Sequence, residues 1–243
     1  MKVIGIIPAR YASSRFPGKP LVDIQGKSMI ARVYGRCQEA LLLHQVIVAT
    51  DDERIFAHVQ AFGGSVMMTS DLHQSGTDRC AEVAKAFPEA DLVVNIQGDE
   101  PFIHPGQIDQ LIRLFDGEKS VDMATLAKKI ESEEALFDPN TVKVVFNEIG
   151  EALYFSRSTI PFLRNFSKDQ WLMRHDFYKH IGIYAFRKEV LLACAKLPQG
   201  RLEKMESLEQ LRWLEAGYRI KVGLTQVETI GIDTPDDLRK FEV

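Results

Sequence analysis

The sequence has 243 residues, of which 45% are hydrophobic and 26% charged, a composition that fits a folded globular protein and excludes disorder or a fibre. Thirty basic and 34 acidic residues give a formal net charge of −4, which argues against a general nucleic-acid-binding protein. No apolar run approaches the roughly 18 residues needed to cross a bilayer, and the first residues lack the pattern of a signal peptide. We therefore expect a cytoplasmic protein without membrane insertion.

The first two-thirds of the chain alternates strand-like and helix-like segments. Short runs rich in Val and Ile are typical of strands buried on both faces of a parallel sheet, and apolar residues at helical spacing lie between them. This alternation predicts an α/β fold with a mostly parallel, Rossmann-like sheet flanked by helices. The predicted strands of this part are Val3–Ile7, Val46–Ala49, Val66–Met68, Leu92–Ile96 and Met123–Ala127.

After about Pro139 the pattern changes, which predicts a smaller added sheet region. We expect a charged helix over Glu203–Ala216, a polar insert over Phe162–Lys179 and a terminal helix that begins at Pro235. No linker-like tract interrupts the chain, so the sequence predicts one domain over residues 1–243 with a distinct subregion at about 140–225. The remaining predicted strands are Val142–Phe146, Ala152–Phe155, Ile181–Phe186 and Ile220–Leu224.

A cationic loop follows the first predicted strand. In a parallel sheet, ligands bind beyond the carboxyl ends of the strands, where Arg10, Arg15 and Lys19 stand beside a turn at Pro17-Gly18. Three cations on one such loop suit a polyanion such as a triphosphate better than they suit a solvated surface loop. The chain has neither a Walker loop nor a GxGxxG motif, which weakens a nicotinamide or flavin interpretation.

Two acidic segments lie at other predicted strand ends. Asp99 and Glu100 follow one strand, where a carboxylate would suit a hard cation with phosphate oxygens in its shell, and for Glu100 we favour the role of a cap for the helix that starts near Pro105. Near the C-terminus, Asp236 and Asp237 fit the first turn of a helix, which leaves Asp233 without a structural reason. Together with the cationic loop, these carboxylates favour metal-assisted phosphoryl or nucleotidyl transfer.

Seven segments, spread in order over nearly the whole chain, resemble one family. They resemble the 3-deoxy-manno-octulosonate cytidylyltransferases, also called CMP-Kdo synthetases, which have a nucleotide-diphospho-sugar transferase type of fold. The segments are Ile6–Leu21 (IIPARYASSRFPGKPL), Val48–Asp51 (VATD), His73–Arg79 (HQSGTDR), Asn95–Pro101 (NIQGDEP), Ala152–Arg157 (ALYFSR), His180–Tyr184 (HIGIY) and Gly231–Pro235 (GIDTP).

The resemblance implies an Mg²⁺-dependent enzyme that joins CTP and Kdo into CMP-Kdo and pyrophosphate for lipopolysaccharide assembly. It implies a homodimer, and a subregion at about 140–225 that serves sugar binding and dimerisation. The implied catalytic residues are Arg10, Lys19, Asp99 and Asp233, the last two as magnesium ligands. The implied CTP-binding residues are Pro8, Ala9, Arg10, Lys19, Gln74, Ser75, Arg79 and Gln97. The implied sugar-binding residues are Arg15, Arg157, His180, Tyr184, Glu209 and Gln210.

Other functions stay open beside this one. Some relatives use 8-amino-Kdo, and another acidic sugar such as a sialic acid is a further alternative acceptor. A catalytically silent nucleotide-sugar sensor on the same fold would be expected to lack the acidic ligands or the loop lysine, yet Asp99, Asp233 and Lys19 are all present.

Overall fold

A computed structural model of the chain describes residues 1–12, 16–117, 120–228, 231–232 and 234–238. Its strands are β1 Val3–Ala9, β2 Asp23–Ile24, β3 Lys27–Ser28, β4 Gln45–Thr50, β5 Val66–Met68, β6 Leu92–Asn95, β7 Met123–Lys129, β8 Lys143–Phe146, β9 Ala152–Ser156, β10 Tyr178–Arg187 and β11 Ile220–Thr225. Its α-helices are α1 Met29–Gln38, α2 Glu53–Ala61, α3 Gly76–Lys85, α4 Pro105–Arg113, α5 Glu133–Phe137, α6 Trp171–Arg174, α7 Lys188–Cys194, α8 Arg201–Glu206, α9 Gln210–Glu215 and α10 Pro235–Leu238. Short 3-10 helices cover Lys19–Leu21 and Lys168–Gln170.

The chain divides into two compact units. Unit 1 comprises Met1–Ile112, Ile183–Ala195 and the described part of Thr229–Val243, whereas unit 2 comprises Arg113–Gly182 and Lys196–Glu228. The α/β fold with a mostly parallel sheet, expected from the sequence, is confirmed. The predicted single domain with a subregion at about 140–225 stays a prediction.

Unit 1 is built on a parallel sheet. Strand β1 pairs in parallel with both β4 and β6, and β4 pairs in parallel with β5. The second half of β10 lies antiparallel to β6, with Tyr184 opposite Asn95. Most residues of β1, β4 and β6 are almost fully buried, as the continuous apolar runs predicted, whereas β5 is only half-buried and its Met68 is exposed. All the strands of the parallel set therefore end toward the same edge, where β1 and β6 deliver the loops of interest.

Side-chain caps begin the helices that follow β3, β4 and β5 in unit 1. The Ser28 hydroxyl caps α1, the Asp52 carboxylate caps α2, and Ser75 with Asp78 forms a capping box on α3. Each cap satisfies N–H groups that have no partner within the helix. The caps therefore fix the residues at which the three preceding loops end and the helices begin.

Unit 2 combines a parallel and an antiparallel pairing. Strand β7 pairs in parallel with β11, and β8 pairs antiparallel with β9. A separate apolar cluster contains Trp171, which is almost fully buried and donates its indole N–H to the Phe166 carbonyl at 3.0 Å. The polar insert at Phe162–Lys179 therefore carries part of the core of this unit.

One predicted element is wrong. The sequence suggested a continuous helix over Glu203–Ala216, whereas α8 ends at Glu206 and α9 begins at Gln210. Ser207 between them adopts a left-handed backbone with φ 52°, which stops helical hydrogen bonding. Within the described ranges, no helix has the length and apolar character that a membrane crossing demands.

Candidate active site

A cavity of about 410 Å³ opens at the carboxyl ends of β1 and β6 in unit 1. It lies where a parallel sheet is expected to bind its ligand, between the end of β1, the segment after β6 and the start of α3. Its lining residues are Pro8, Ala9, Arg10, Ala12, Lys19, Pro20, Gln74, Gly76, Gln97, Gly98 and Asp99.

Two glycines allow close packing against Pro8 in this cavity. A Cβ atom on Gly98 would lie 2.8 Å from the Pro8 carbonyl oxygen, and one on Gly76 would lie 3.1 Å from the Pro8 ring. Both distances are shorter than ordinary van der Waals contact, so any side chain would displace the backbone or narrow the cavity. The two glycines therefore let the segment after β6 and the start of α3 pack closely against Pro8 at the end of β1.

Lys19 and Asp99 form an ion pair at the cavity. The Lys19 ammonium donates to Asp99 Oδ2 at 2.7 Å, and the two side chains are 14% and 30% exposed. Lys19 begins the 3-10 helix directly after Gly18, whose backbone is left-handed with φ 74°. A phosphate group offers Lys19 another acceptor, and a cation offers Asp99 another partner, so ligands can replace this pair.

Arg10 lies at the cavity and is held by the loop that precedes α3. Its Nη2 donates to the His73 carbonyl, and the His73 ring in turn pairs with the Glu82 carboxylate on α3. Burial alone would raise the pKa of Glu82, but hydrogen bonds from the Ser70 N–H and the His73 ring bring the pKa below its usual value. An ionised Glu82 therefore anchors the loop whose backbone orients Arg10.

Two residues expected to bind CTP have local structural partners instead of lining positions. Ser75 Oγ accepts the Asp78 N–H at 3.1 Å as the cap of α3. Arg79 is fully buried, donates to Asp51 Oδ2 at 2.7 Å and also donates to the Thr69 hydroxyl. The sequence signal for both residues is explained by capping and by a buried ion pair.

The carboxyl group of Glu100 differs sharply from that of its neighbour Asp99. Burial, reinforced by the nearby Asp99 charge, raises the pKa of Glu100 to about 8. Its Oε2 is buried and has no hydrogen-bond partner among the described residues. Glu100 therefore resists ionisation, and Asp99 is the member of this pair suited to a cation.

The residues available for a magnesium ion fit the chemistry of that ion. Mg²⁺ typically takes one or two carboxylates and completes its shell with water and substrate phosphates. Asp99 supplies one carboxylate at the cavity, and its carbonyl accepts the Ile232 N–H at 2.9 Å. Asp233, the second predicted ligand, lies outside the described residues but directly follows Ile232. No cluster of three or more His, Cys, Asp or Glu side chains suited to a metal occurs in the part of the chain that is described.

The predicted sugar-binding residues are distributed over both units. Arg15 lies outside the described residues, and Tyr184 is a buried residue of unit 1. Arg157 in unit 2 donates Nε to the Glu206 carbonyl at 2.8 Å and Nη1 to the Pro139 carbonyl at 3.1 Å. Gln210 in α9 is buried, and Glu209 precedes it at the helix start.

His180 in unit 2 is held in a neutral form. The Thr125 hydroxyl donates its single proton to the Ile181 carbonyl, so His180 Nε2 carries a proton and donates it to Thr125 at 2.9 Å. Burial lowers the pKa of His180 to about 3. The ring is therefore uncharged at neutral pH, and any contact with an acidic sugar would be a hydrogen bond rather than an ion pair.

Several residues of the site were not predicted. Ala12, Pro20, Gly76 and Gly98 line the cavity, yet small residues and proline in a loop give no signal beyond a turn. The His73–Glu82 pair was also missed, since nothing in a one-dimensional pattern reports a contact between a loop and the next helix.

Comparison with known proteins decides the family. The cytidylyltransferase family model matches residues 4–221. A 3-deoxy-manno-octulosonate cytidylyltransferase of Parabacteroides distasonis is 58% identical, covering 99% of this chain and 96% of the relative. The chain belongs to this family. A second member, from Bacteroides thetaiotaomicron, is 56% identical over 100% of this chain and 97% of its own length.

A solved structure of the same family has the same fold. The structure of CMP:2-keto-3-deoxy-manno-octonic acid synthetase complexed with CTP superimposes with a TM-score of 0.91 and is 46% identical, covering 99% of this chain and 96% of that one. The resemblance drawn from the seven sequence segments is thus confirmed.

Proposed function

We propose that this protein transfers the cytidylyl group of CTP to Kdo, giving CMP-Kdo and pyrophosphate. The observation that carries the proposal is the cavity of unit 1, which Arg10, Lys19 and Asp99 line together with the closely packed Pro8 and Gly98. Its size, its cations and the Asp99 carboxylate suit a nucleoside triphosphate with a hard cation. Family membership supports CTP as the nucleotide and Kdo as the acceptor.

The reaction is a direct displacement at the α-phosphorus. The anomeric hydroxyl oxygen of the sugar forms a bond to this phosphorus, the bond to the bridging oxygen of the β-phosphate breaks, and the hydroxyl proton is released. Negative charge then accumulates on the departing pyrophosphate. Lys19 and Arg10 hold the triphosphate and stabilise that charge, which is the main contribution a protein makes to such a transfer.

Asp99 and Asp233 would hold Mg²⁺ during this reaction. Asp233 directly follows Ile232, whose N–H donates to the Asp99 carbonyl. When bound, Mg²⁺ would neutralise phosphate charge and make the sugar hydroxyl more acidic. In the absence of these ligands Asp99 pairs with Lys19. With CTP and the metal bound, Lys19 would donate to a phosphate oxygen and Asp99 would supply its carboxylate to the cation in place of this ion pair.

The sugar would be recognised by residues predicted from the family, namely Arg15, Arg157, His180, Tyr184, Glu209 and Gln210. His180 is suited to a neutral hydrogen bond, since its ring is uncharged. Arg157 is less suited to reach a ligand, because three of its nitrogen atoms already donate to backbone carbonyls.

We also propose a homodimer formed through unit 2. A cavity of about 490 Å³ in this unit is lined mainly by apolar residues, and Leu153, Phe162 and Met173 are 61%, 72% and 76% exposed. Apolar side chains this exposed are typical of contact surfaces. Sedimentation of the wild type and of Leu153→Glu tests the dimer, which the charged variant should weaken. A cytoplasmic location stays a prediction that cell fractionation would test.

Pyrophosphate release from CTP and Mg²⁺ tests the reaction. Kdo, 8-amino-Kdo, a sialic acid and a sample without sugar are assayed side by side, with Mg²⁺ removed by chelation as a control. Pyrophosphate release from CTP in the sample that contains both Kdo and Mg²⁺, and in no other sample, supports the proposal. Release with the amino sugar or the sialic acid in preference to Kdo would change the acceptor, and tight CTP binding without release would favour the sensor.

A further inference from the structure

The aromatic ring of Tyr11 lies under an arginine from another element. The guanidinium carbon of Arg54, at the start of α2, is 3.2 Å from the centroid of the Tyr11 ring. A guanidinium stacked on an aromatic face is attracted by the ring electrons and restricts the ring. Tyr11 directly follows Arg10, so this contact acts on the residue next to a cavity cation.

Asp52 orients the Arg54 guanidinium over that ring. Arg54 Nε donates to Asp52 Oδ1 at 3.0 Å and Nη2 donates to Oδ2 at 2.6 Å, which is a bidentate ion pair. Asp52 Oδ1 also accepts the Arg54 N–H at 2.9 Å as the cap of α2. Asp52 therefore holds both the main-chain N–H and the guanidinium of Arg54 at the start of α2 in unit 1.

Gly18 contacts the same tyrosine at the other end of the loop. Its N–H donates to the Tyr11 carbonyl at 2.9 Å, and a Cβ atom on Gly18 would lie 3.2 Å from Tyr11 Oη. The left-handed backbone of Gly18, at φ 74°, makes this approach possible. Lys19, the second cavity cation, follows immediately.

These contacts form a clasp, which we define as Tyr11, Gly18 and Arg54. In the clasp, Tyr11 contacts both Gly18 and Arg54. Arg10 directly precedes Tyr11 in the chain, and Lys19 directly follows Gly18. Both of these line the cavity. Arg54 is not a lining residue of that cavity, so any effect it has on a ligand is transmitted through Tyr11 or through its charge.

We propose that Arg54 is a positioning residue for triphosphate binding: through Tyr11 it holds Arg10 and Lys19 in the arrangement that receives the polyphosphate. The inference rests on the proposed function, since it assumes a nucleoside triphosphate in this cavity. Orienting the cations before the ligand arrives lowers the entropy lost on binding. The ligand chemistry concerned is the β- and γ-phosphates, which CMP lacks.

The first test compares the affinities for CTP and CMP by titration calorimetry without sugar. Arg54→Ala should weaken CTP binding about two- to fivefold, the size of one cation–π contact, and leave CMP binding unchanged. Arg36→Ala is the matched control, because Arg36 is also paired to a partly exposed carboxylate in unit 1, at 2.6 Å from Glu39. Thermal unfolding of each variant establishes that it is folded.

A double-mutant cycle decides whether Arg54 acts through the ring. Tyr11→Leu removes the ring but keeps apolar volume, and Tyr11→Phe keeps the ring and should bind CTP as the wild type does. In the Tyr11→Leu background, Arg54→Ala should cause no further loss of CTP affinity. Such non-additivity is expected of two residues in one contact.

Three results would overturn the inference. An equal loss for CTP and CMP would indicate a general structural effect, and additive losses in the cycle would indicate that Arg54 acts by its charge alone. Unchanged CTP affinity in Arg54→Ala would show that the clasp has no role in binding. Failure of the proposed function looks different, because the wild type itself would then not bind CTP, and the inference would fall with it.

Discussion

Lys19 in unit 1 and Arg157 in unit 2 have different kinds of partner. In unit 1, Lys19 pairs with the carboxylate of Asp99 at a cavity, and both are exposed enough to exchange that partner for a ligand. In unit 2, Arg157 donates Nε, Nη1 and Nη2 to main-chain carbonyls of Glu206, Pro139 and Ser207. A side-chain partner can turn toward another ligand, whereas a backbone carbonyl moves only with the fold.

Lys143 strengthens this contrast. It is fully buried in unit 2, and its ammonium donates to the carbonyls of Asp138, Thr141 and Arg157 at 2.6 to 2.8 Å. Burial lowers the pKa of this lysine, with the nearby Arg157 charge adding to the effect. Lys143 and Arg157 of unit 2 thus connect turns through their carbonyls, whereas Lys19 at the cavity of unit 1 can exchange its carboxylate partner for a polyanion.

The largest effect expected from this comparison is the loss of turnover when Asp99 is substituted. Asp99→Asn should lower kcat about 100- to 1,000-fold, because the charge that would hold Mg²⁺ acts most strongly in the transition state. The dissociation constant for CTP should change by less than about threefold, since the cations remain. Steady-state kinetics and calorimetry measure both quantities, and Glu89→Gln at the surface is the control. Wild-type turnover in Asp99→Asn would exclude the role.

Substitution of Gly98 tests its close packing against Pro8 at the cavity. Gly98→Ala places a Cβ atom 2.8 Å from the Pro8 carbonyl oxygen, so the backbone must shift and CTP affinity should fall about tenfold. Gly35→Ala is a matched control, because a Cβ atom there meets nothing within 4 Å in α1. Unchanged CTP binding in Gly98→Ala, measured by calorimetry, would show that the ligand does not approach Pro8.

Substitution of Arg157 tests whether this cation of unit 2 has a structural role. Arg157→Ala should lower the free energy of unfolding by about 1–3 kcal/mol, because three main-chain carbonyls lose a charged donor. Denaturant unfolding measures this loss, and the exposed Arg164→Ala should change stability little. A higher apparent KM for Kdo with unchanged stability would instead mean that Arg157 contacts the sugar.

The smallest effect, taken per pH unit, is on the pH dependence of stability. The folded-state pKa of His180 is about 3, below the ordinary histidine value of 6.5, so between these values the unfolded chain binds a proton that the folded chain does not. This histidine therefore contributes stability above pH 6.5 that is lost as the pH falls, at up to about 1.4 kcal/mol per pH unit.

The variant His180→Gln should reduce this slope while keeping a donor for Thr125. Denaturant unfolding at several pH values between 3 and 6.5 measures the slope. The exposed His175→Gln serves as the control. An identical slope in His180→Gln and the wild type would contradict the assignment of a buried neutral ring.

Much of the architecture of unit 1 could be predicted because it depends on local patterns. Apolar runs marked β1, β4, β5 and β6 correctly, and the rule that ligands bind at strand carboxyl ends placed Arg10, Lys19 and Asp99 near one another. Arg10 and Asp99 follow two parallel neighbouring strands and so lie at the same edge of the sheet, and the loop after β1 returns Lys19 to that edge. That is why these three line one cavity.

By itself, then, the sequence determined the α/β class, the family and the strand ends that carry the cavity. Only the tertiary structure decided that Arg79 is sealed against Asp51, that Glu100 resists ionisation beside Asp99, and that Arg54 stacks on Tyr11. Each of these depends on burial and on partners that lie apart in the chain or on the far side of a turn. Desolvation and contact are properties of the folded surroundings, and they are absent from the order of residues.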